Sequence, residues 1–182
     1  MGWYFSKALH TYYSAFVLSQ LPNELLQKFA AEAPYGGSGY RTAISEAFRR
    51  EAAISLELIS KASLATHIRE KSTQSGRTTM PNTHNLFELF ADIGIELTTN
   101  RQVYFLDELT ETLIWSGRYG APAKGKPDHS RGKKYDAMID KATWTDQKLG
   151  ALVIHQYPSL SWADFEDLFQ LVLKSIHSGS WD

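Results

Sequence analysis

The chain of 182 residues contains no cysteine. Disulfide bonds, thiolate catalysis and cysteine-based zinc sites are therefore excluded. The six histidines show no metal-ligand spacing with a carboxylate and no His-Glu-x-x-His, so no metal site and no cofactor are predicted. A Gly-x-Ser-x-Gly nucleophile elbow is also missing. Residues 34–39, with three glycines, follow no predicted strand and lack a Gly-Lys-Ser/Thr ending, so we predict a turn between helices.

The chain also lacks a surplus of charge of either sign and a long apolar run. Its 19 lysines and arginines against 20 aspartates and glutamates give a net charge of −1, so any surface for nucleic acid must be local. No uncharged run reaches the length of a membrane span, and the N-terminus lacks the basic-then-apolar order of a signal peptide. These absences predict a cytoplasmic protein without membrane contact.

What is present indicates an all-α fold, an antiparallel bundle of five to six helices. A content of 43% hydrophobic and 21% charged residues in this length predicts one domain with its own core, spanning 1–182. Apolar residues at helical spacing predict helices over residues 6–19, 23–31, 40–69, from Thr83 as N-cap to Gly94, 100–116 and 162–176. The longest of them is expected to be the central helix. Residues 149–157 fit either a strand or a short helix.

The most distinctive segment, residues 115–122, holds Trp115, Arg118, Tyr119 and Pro122. It ends an apolar-periodic helix and opens a basic loop, a setting where binding residues are common. An alternative is structural, with Arg118 capping the helix carbonyls and Tyr119 packing at the bundle end.

The loop after this segment concentrates positive charge. Only Asp128 opposes its cations, which are Arg118, Lys124, Lys126, Arg131, Lys133 and Lys134. Such a loop could follow an RNA or DNA backbone with salt-sensitive binding, or it could be a solvated loop that favours solubility.

The order of several motifs resembles that of HEPN domains (higher eukaryotes and prokaryotes nucleotide-binding). An aliphatic-rich helix at 51–64 carries Lys61, a His-polar-Leu helix start follows at His84, and an Arg-Tyr pair at Arg118 closes a later helix. The resemblance covers about residues 40–122 with a compatible helix at 161–177, which leaves 117–158 as a basic loop or insertion. The chain departs from the family pattern at Asn85, where aspartate is usual, and at Gly120, where proline often follows the tyrosine.

The resemblance implies two alternative functions. The first is a helical module that binds a nucleotide, a nucleic acid or a protein partner of the nucleotidyltransferase type. Its ligand would contact Arg118, Tyr119 and the basic loop. The second is a metal-independent ribonuclease in which His84 transfers protons and Arg77 stabilises the transition-state phosphate. Toxin–antitoxin or antiviral systems are the implied setting, and a homodimer is expected for both. An arginine and a histidine at this spacing also arise easily by chance.

Overall fold

A long central helix organises the molecule. The computed structural model describes residues 2–32, 39–116, 145–149, 152–156 and 159–177. The described helices and strands are, in chain order, α1 (Gly2–Ser19), α2 (Asn23–Glu32), α3 (Tyr40–Glu70), α4 (Leu86–Asp92), α5 (Asn100–Glu111), a π-helical turn (Thr112–Ser116), β1 (Thr145–Leu149), β2 (Leu152–Gln156) and α6 (Trp162–His177). Helix α3 packs against every other described helix and against the π-helical turn, as predicted for the longest helix. The predicted helical bundle is therefore confirmed.

Helix α3 has this position because its apolar residues spread over a broad face. The apolar spacing over residues 40–69 predicts a buried stripe that consists of Ile44, Phe48, Ala52, Leu56, Ile59, Ala62 and Leu64. All of these residues except Ile44 are fully or almost fully buried. Burial of each of the larger apolar side chains stabilises the fold by about 1.5–3 kcal/mol. Ile44, near the start of the helix, is only half-buried. The prediction that this stripe is buried is thus wrong only at Ile44.

Helix α1 lies closely along α3. Ala8 and Ala15 face α3 and have no exposed surface. Their small side chains allow the two backbones to approach, and the Ser55 hydroxyl donates a hydrogen bond of 2.8 Å to the Ala8 carbonyl oxygen. The side of α1 that contacts α3 is therefore small and tightly fitted.

The start of α4 differs from the prediction. Asn85, not Thr83, is the N-cap, and its side chain accepts hydrogen bonds from the backbone N–H groups of Phe87 and Glu88. Thr83 instead accepts a hydrogen bond from the Asn85 N–H at 3.1 Å. Threonine and asparagine can both cap a helix. The N-cap lies two positions later than predicted because Asn85 directly precedes Leu86, which is buried in the core. Gly94, with φ of +74°, follows the end of this helix as predicted.

Helix α5 begins with a capping box and ends in an unusual turn. The Thr99 hydroxyl accepts from the Gln102 N–H, and the Gln102 side chain accepts from the Thr99 N–H. The predicted helix 100–116 is α-helical only to Glu111, and the π-helical turn then packs against α3. Single π-helical turns occur mostly inside α-helices and often lie at functional sites.

Helix α6 closes the bundle against α3 and α5. Its predicted apolar stripe is buried throughout, at Phe165, Leu168, Phe169, Val172 and Ile176. At its start, Asp164 accepts hydrogen bonds from the Arg101 guanidinium of α5 and from the Ser161 hydroxyl. This contact joins the N-terminal turns of two helices that are distant in sequence.

The described residues also include one two-stranded antiparallel hairpin. Strand β1 pairs with β2 in a register that places Thr145 opposite Gln156 and Leu149 opposite Leu152. For residues 149–157 a strand and a short helix were both possible, and the structure shows a strand over Leu152–Gln156. The hairpin is an addition to the helical bundle. Among the described residues, no helix combines the length and the apolar character needed to cross a lipid bilayer.

Candidate functional site

Three polar side chains meet where the segment before α4 crosses α3. The Lys61 ammonium nitrogen lies 2.6 Å from Oε1 of Glu57, and Nδ1 of His84 lies 3.0 Å from the same oxygen. The side chains of Glu57 and Lys61 are only 10% and 12% exposed, whereas that of His84 is 29% exposed. We call these three residues the Glu57 cluster.

Local structure accounts for this arrangement. Glu57 and Lys61 are four positions apart on α3, a spacing that brings a glutamate and a following lysine together on one helix face. His84 directly precedes Asn85, whose capping bonds hold the chain as it enters α4. Because Leu86 and Phe87 are buried in the core, the start of α4 is anchored beside α3. His84 is thereby held over Glu57.

The Glu57 cluster can orient an imidazole. A carboxylate that accepts from Nδ1–H selects the tautomer in which Nε2 is free to accept a proton or to bind a ligand. Lys61 supplies a positive charge next to the same oxygen. Burial of the Glu57 carboxylate is possible because two donors satisfy it. The arrangement suits recognition of a polar ligand, and it also suits proton transfer by His84.

Arg77, the other residue proposed for catalysis, is bound by carboxylates of α4. Its Nη2 lies 2.7 Å from Oε1 of Glu88, and its Nε lies 2.6 Å from Oδ2 of Asp92. The Glu88 contact is an aligned hydrogen bond, whereas the Asp92 contact has the distance of an ion pair without hydrogen-bond alignment. The Asp92 side chain is 4% exposed, so Arg77 neutralises a buried charge. This role is structural.

The structure therefore gives Arg77 and His84 different partners. Arg77 binds two acidic residues on α4, and His84 binds Glu57 on α3. The Arg77 backbone is also held, because its carbonyl oxygen accepts a hydrogen bond of 2.9 Å from the Thr73 hydroxyl. A phosphate at Arg77 would have to compete with Glu88 and Asp92 for the guanidinium.

The other predicted site residues lie outside the described part of the chain. These are Arg118, Tyr119, Lys124, Lys126, Arg131, Lys133 and Lys134. The described chain leads up to them through the π-helical turn, which ends at Ser116 and packs on α3. Helix α3 thus contacts both α4, which follows His84, and the turn that precedes Arg118.

Glu57, Glu88 and Asp92 were not predicted from the sequence as partners of the candidate residues. Glu57 carried one usable signal, because an acidic residue inside an otherwise apolar helical stripe, four positions before a lysine, indicates a buried ion pair. Glu88 and Asp92 have the same four-residue spacing on α4. Their common partner Arg77 comes from a non-helical segment, and no helical spacing indicates that contact.

Comparison of the chain with protein-family models, with curated proteins and with solved structures finds no match in any of the three.

Proposed function

We propose that this protein is a helical module of the HEPN type that binds a nucleotide or a nucleic acid. Its ligand contacts Arg118, Tyr119 and the basic loop, and the Glu57 cluster forms a second polar contact on α3. The observation that carries the proposal is the convergence of Lys61 and His84 on Glu57. These two residues belong to separate motifs of the resemblance, and a shared contact is what a common site would require.

Two further features support a ligand with phosphate groups. The six cations of residues 118–134 against Asp128 leave that segment with a charge of +5, so the rest of the chain carries −6. Such segregation favours a polyanion at one place and disfavours it elsewhere. The π-helical turn immediately before this segment is a feature that is common at functional sites.

Binding of a labelled single-stranded RNA at several salt concentrations tests the proposal. We expect replacement of Lys124, Lys126, Lys133 and Lys134 by glutamine to weaken binding and to lower the slope of log K against log salt by about 3. Replacing four exposed lysines elsewhere, Lys7, Lys28, Lys71 and Lys174, makes the same change in net charge and serves as the control. Equal effects of the two variants, or no binding by the wild type at low salt, would refute the proposal.

Arg118 and Tyr119 need a separate measurement, because they are expected to contact the ligand directly. Arg118→Ala removes a bidentate phosphate donor and Tyr119→Phe removes only a hydroxyl. We expect Arg118→Ala to weaken nucleotide or RNA binding about tenfold or more and Tyr119→Phe to have a smaller effect. Unchanged affinity in Arg118→Ala would assign this residue to helix capping instead.

A ribonuclease remains the second candidate, because the Glu57–His84 contact orients an imidazole as a general base requires. Incubation with structured and single-stranded RNA in the presence of a chelator separates the two functions. Cleavage that disappears in His84→Ala and falls in Glu57→Gln would establish the nuclease. Cleavage that persists in His84→Ala would exclude His84, and no cleavage by the wild type leaves the binding function.

The resemblance also implies a protein partner of the nucleotidyltransferase type and a homodimer, in a toxin–antitoxin or antiviral setting. We retain these as parts of the proposal. Analytical ultracentrifugation of the purified chain measures the oligomeric state directly.

A further inference from the structure

One side of α1 carries large apolar side chains in contact with solvent. The five exposed residues Trp3, Ser6, His10, Tyr13 and Val17 follow one another at intervals of three, four, three and four. This is the spacing of a coiled-coil seam, which places all five on one face of the helix. We call these residues the α1 face.

The opposite side of the same helix is already occupied. Ala8 and Ala15 have no exposed surface and face α3. Trp3, Tyr13 and Val17 are 65%, 60% and 60% exposed, and Phe16 at the border of the face is 41% exposed. Packing against the described part of the chain therefore does not explain why Trp3, Tyr13 and Val17 are apolar.

Charge does not account for the face either. In the whole of Gly2–Ser19, Lys7 is the one residue with a fixed charge, and no acidic residue is present. A surface helix normally carries charged residues on its solvent side. Two copies of this face can meet without bringing like fixed charges into the seam.

The exposed apolar area on the α1 face and at Phe16 beside it approaches the apolar area that one partner contributes to a standard dimer interface. A large aromatic side chain offers about 150–250 Å², so the exposed parts of Trp3, Tyr13 and Phe16 amount to about 250–400 Å². Val17 adds to this area. A standard interface buries about 800 Å² per partner, a little over half of it apolar, which is about 450 Å².

From these observations we propose that the α1 face is the contact between two copies of this chain, with α1 packed against α1 of the second copy. A twofold symmetric contact uses the same patch on both copies, which a self-compatible uncharged seam satisfies. The inference rests on the homodimer retained in the proposed function and names the surface through which it forms. It does not depend on the ligand, so a dimer that persists without the α1 face overturns only this contact, and RNA binding can succeed when the contact fails.

Sedimentation of the full chain tests the proposal. We expect the wild type to form a dimer and Tyr13→Glu with Val17→Glu to raise the dissociation constant at least about 30-fold. Gln27→Glu with Ala31→Glu, which adds the same two negative charges at exposed positions of α2, is the matched control and should leave the dimer intact. A monomeric wild type at the highest attainable concentration, or an unchanged dimer in the double variant, would overturn the inference.

A milder variant covers the case in which the double variant fails to fold. Since the chain has no cysteine, Ser6→Cys and Gln27→Cys each introduce a single exposed thiol. We expect alkylation of the thiol in Ser6→Cys to slow several-fold as the protein concentration rises, while that in Gln27→Cys stays constant. Equal rates at all concentrations for both thiols would contradict a contact through α1.

Discussion

Lys61 and His84 contact the same oxygen atom of Glu57, one from within α3 and the other from the segment that enters α4. The contact joins a helix interior to a helix start, and it places a fixed cation beside an imidazole. Because Glu57 and Lys61 are largely buried, each depends on the other for its charge to be tolerated. The same three side chains thus contribute to stability and form the described part of the proposed site.

Replacement of Glu57 by glutamine should destabilise the fold. The substitution leaves the Lys61 ammonium without its carboxylate in a largely buried place, so we expect a loss of about 3 kcal/mol in the free energy of unfolding. Urea unfolding measures it. Glu46→Gln, at an exposed position on the same helix, should change the free energy by less than about 0.5 kcal/mol. Similar unfolding midpoints for the two variants would show that the Glu57 cluster contributes little.

Arg77 and Asp92 should be coupled in a double-mutant cycle. Arg77→Met leaves the Asp92 carboxylate buried without its cation, and we expect a loss of about 3–5 kcal/mol. Asp92→Asn in addition removes that charge, so the double variant should recover part of the loss. If the two changes were additive in urea unfolding, Arg77 would not be neutralising Asp92. A phosphate would then have to compete with Glu88, but not with Asp92, for the guanidinium.

The cap of α4 predicts that two substitutions at Asn85 differ in their effect on stability. Asn85→Ala removes the acceptor for two backbone N–H groups and should cost about 1 kcal/mol. Asn85→Asp keeps the acceptor and adds a negative charge at a helix start, so it should preserve stability. Thermal unfolding of the three proteins checks this order. If Asn85→Ala were as stable as the wild type, the structural account of this turn would be incorrect.

Asp164 should make stability depend on acid pH. Burial raises the pKa of its carboxyl, but hydrogen bonds from Arg101 and Ser161 outweigh burial and hold the pKa below its ordinary value of 3.8. A carboxyl with a lowered pKa in the folded state stabilises the fold above its unfolded pKa, and this stabilisation is lost as the pH falls through the folded value. Stability from this contact is thus fully present at neutral pH and is lost progressively as the pH falls below about 4.

The measurement is urea unfolding at pH 7 and at pH 3 for the wild type and for Asp164→Asn. Because asparagine does not titrate, the variant should lose less stability than the wild type between the two pH values. The Arg101 side chain is 55% exposed, so solvent screens its contact with Asp164. The difference in lost stability between the two proteins should therefore be small. A larger acid loss in the variant would mean that Asp164 does not have a lowered pKa.

Much of the architecture was predictable from the sequence, since burial periodicity is a local property. Apolar residues at helical spacing identified the central helix and the buried stripe of α6, and Asn100 was correctly placed at the start of α5. The choice between Thr83 and Asn85 as N-cap was not predictable from residue type, because both are good caps. Which of them caps was decided by the burial of Leu86 against the core.

The sequence by itself determined that this protein is a helical bundle without cysteine chemistry, with its positive charge concentrated in one segment. Only the tertiary structure decided that His84 binds Glu57, that Arg77 neutralises Asp92 and that some aromatic residues of α1, among them Trp3 and Tyr13, face solvent. The physical reason is the range of the interactions. Helical periodicity arises between residues within a few positions, whereas ion pairs between elements depend on how those elements pack together.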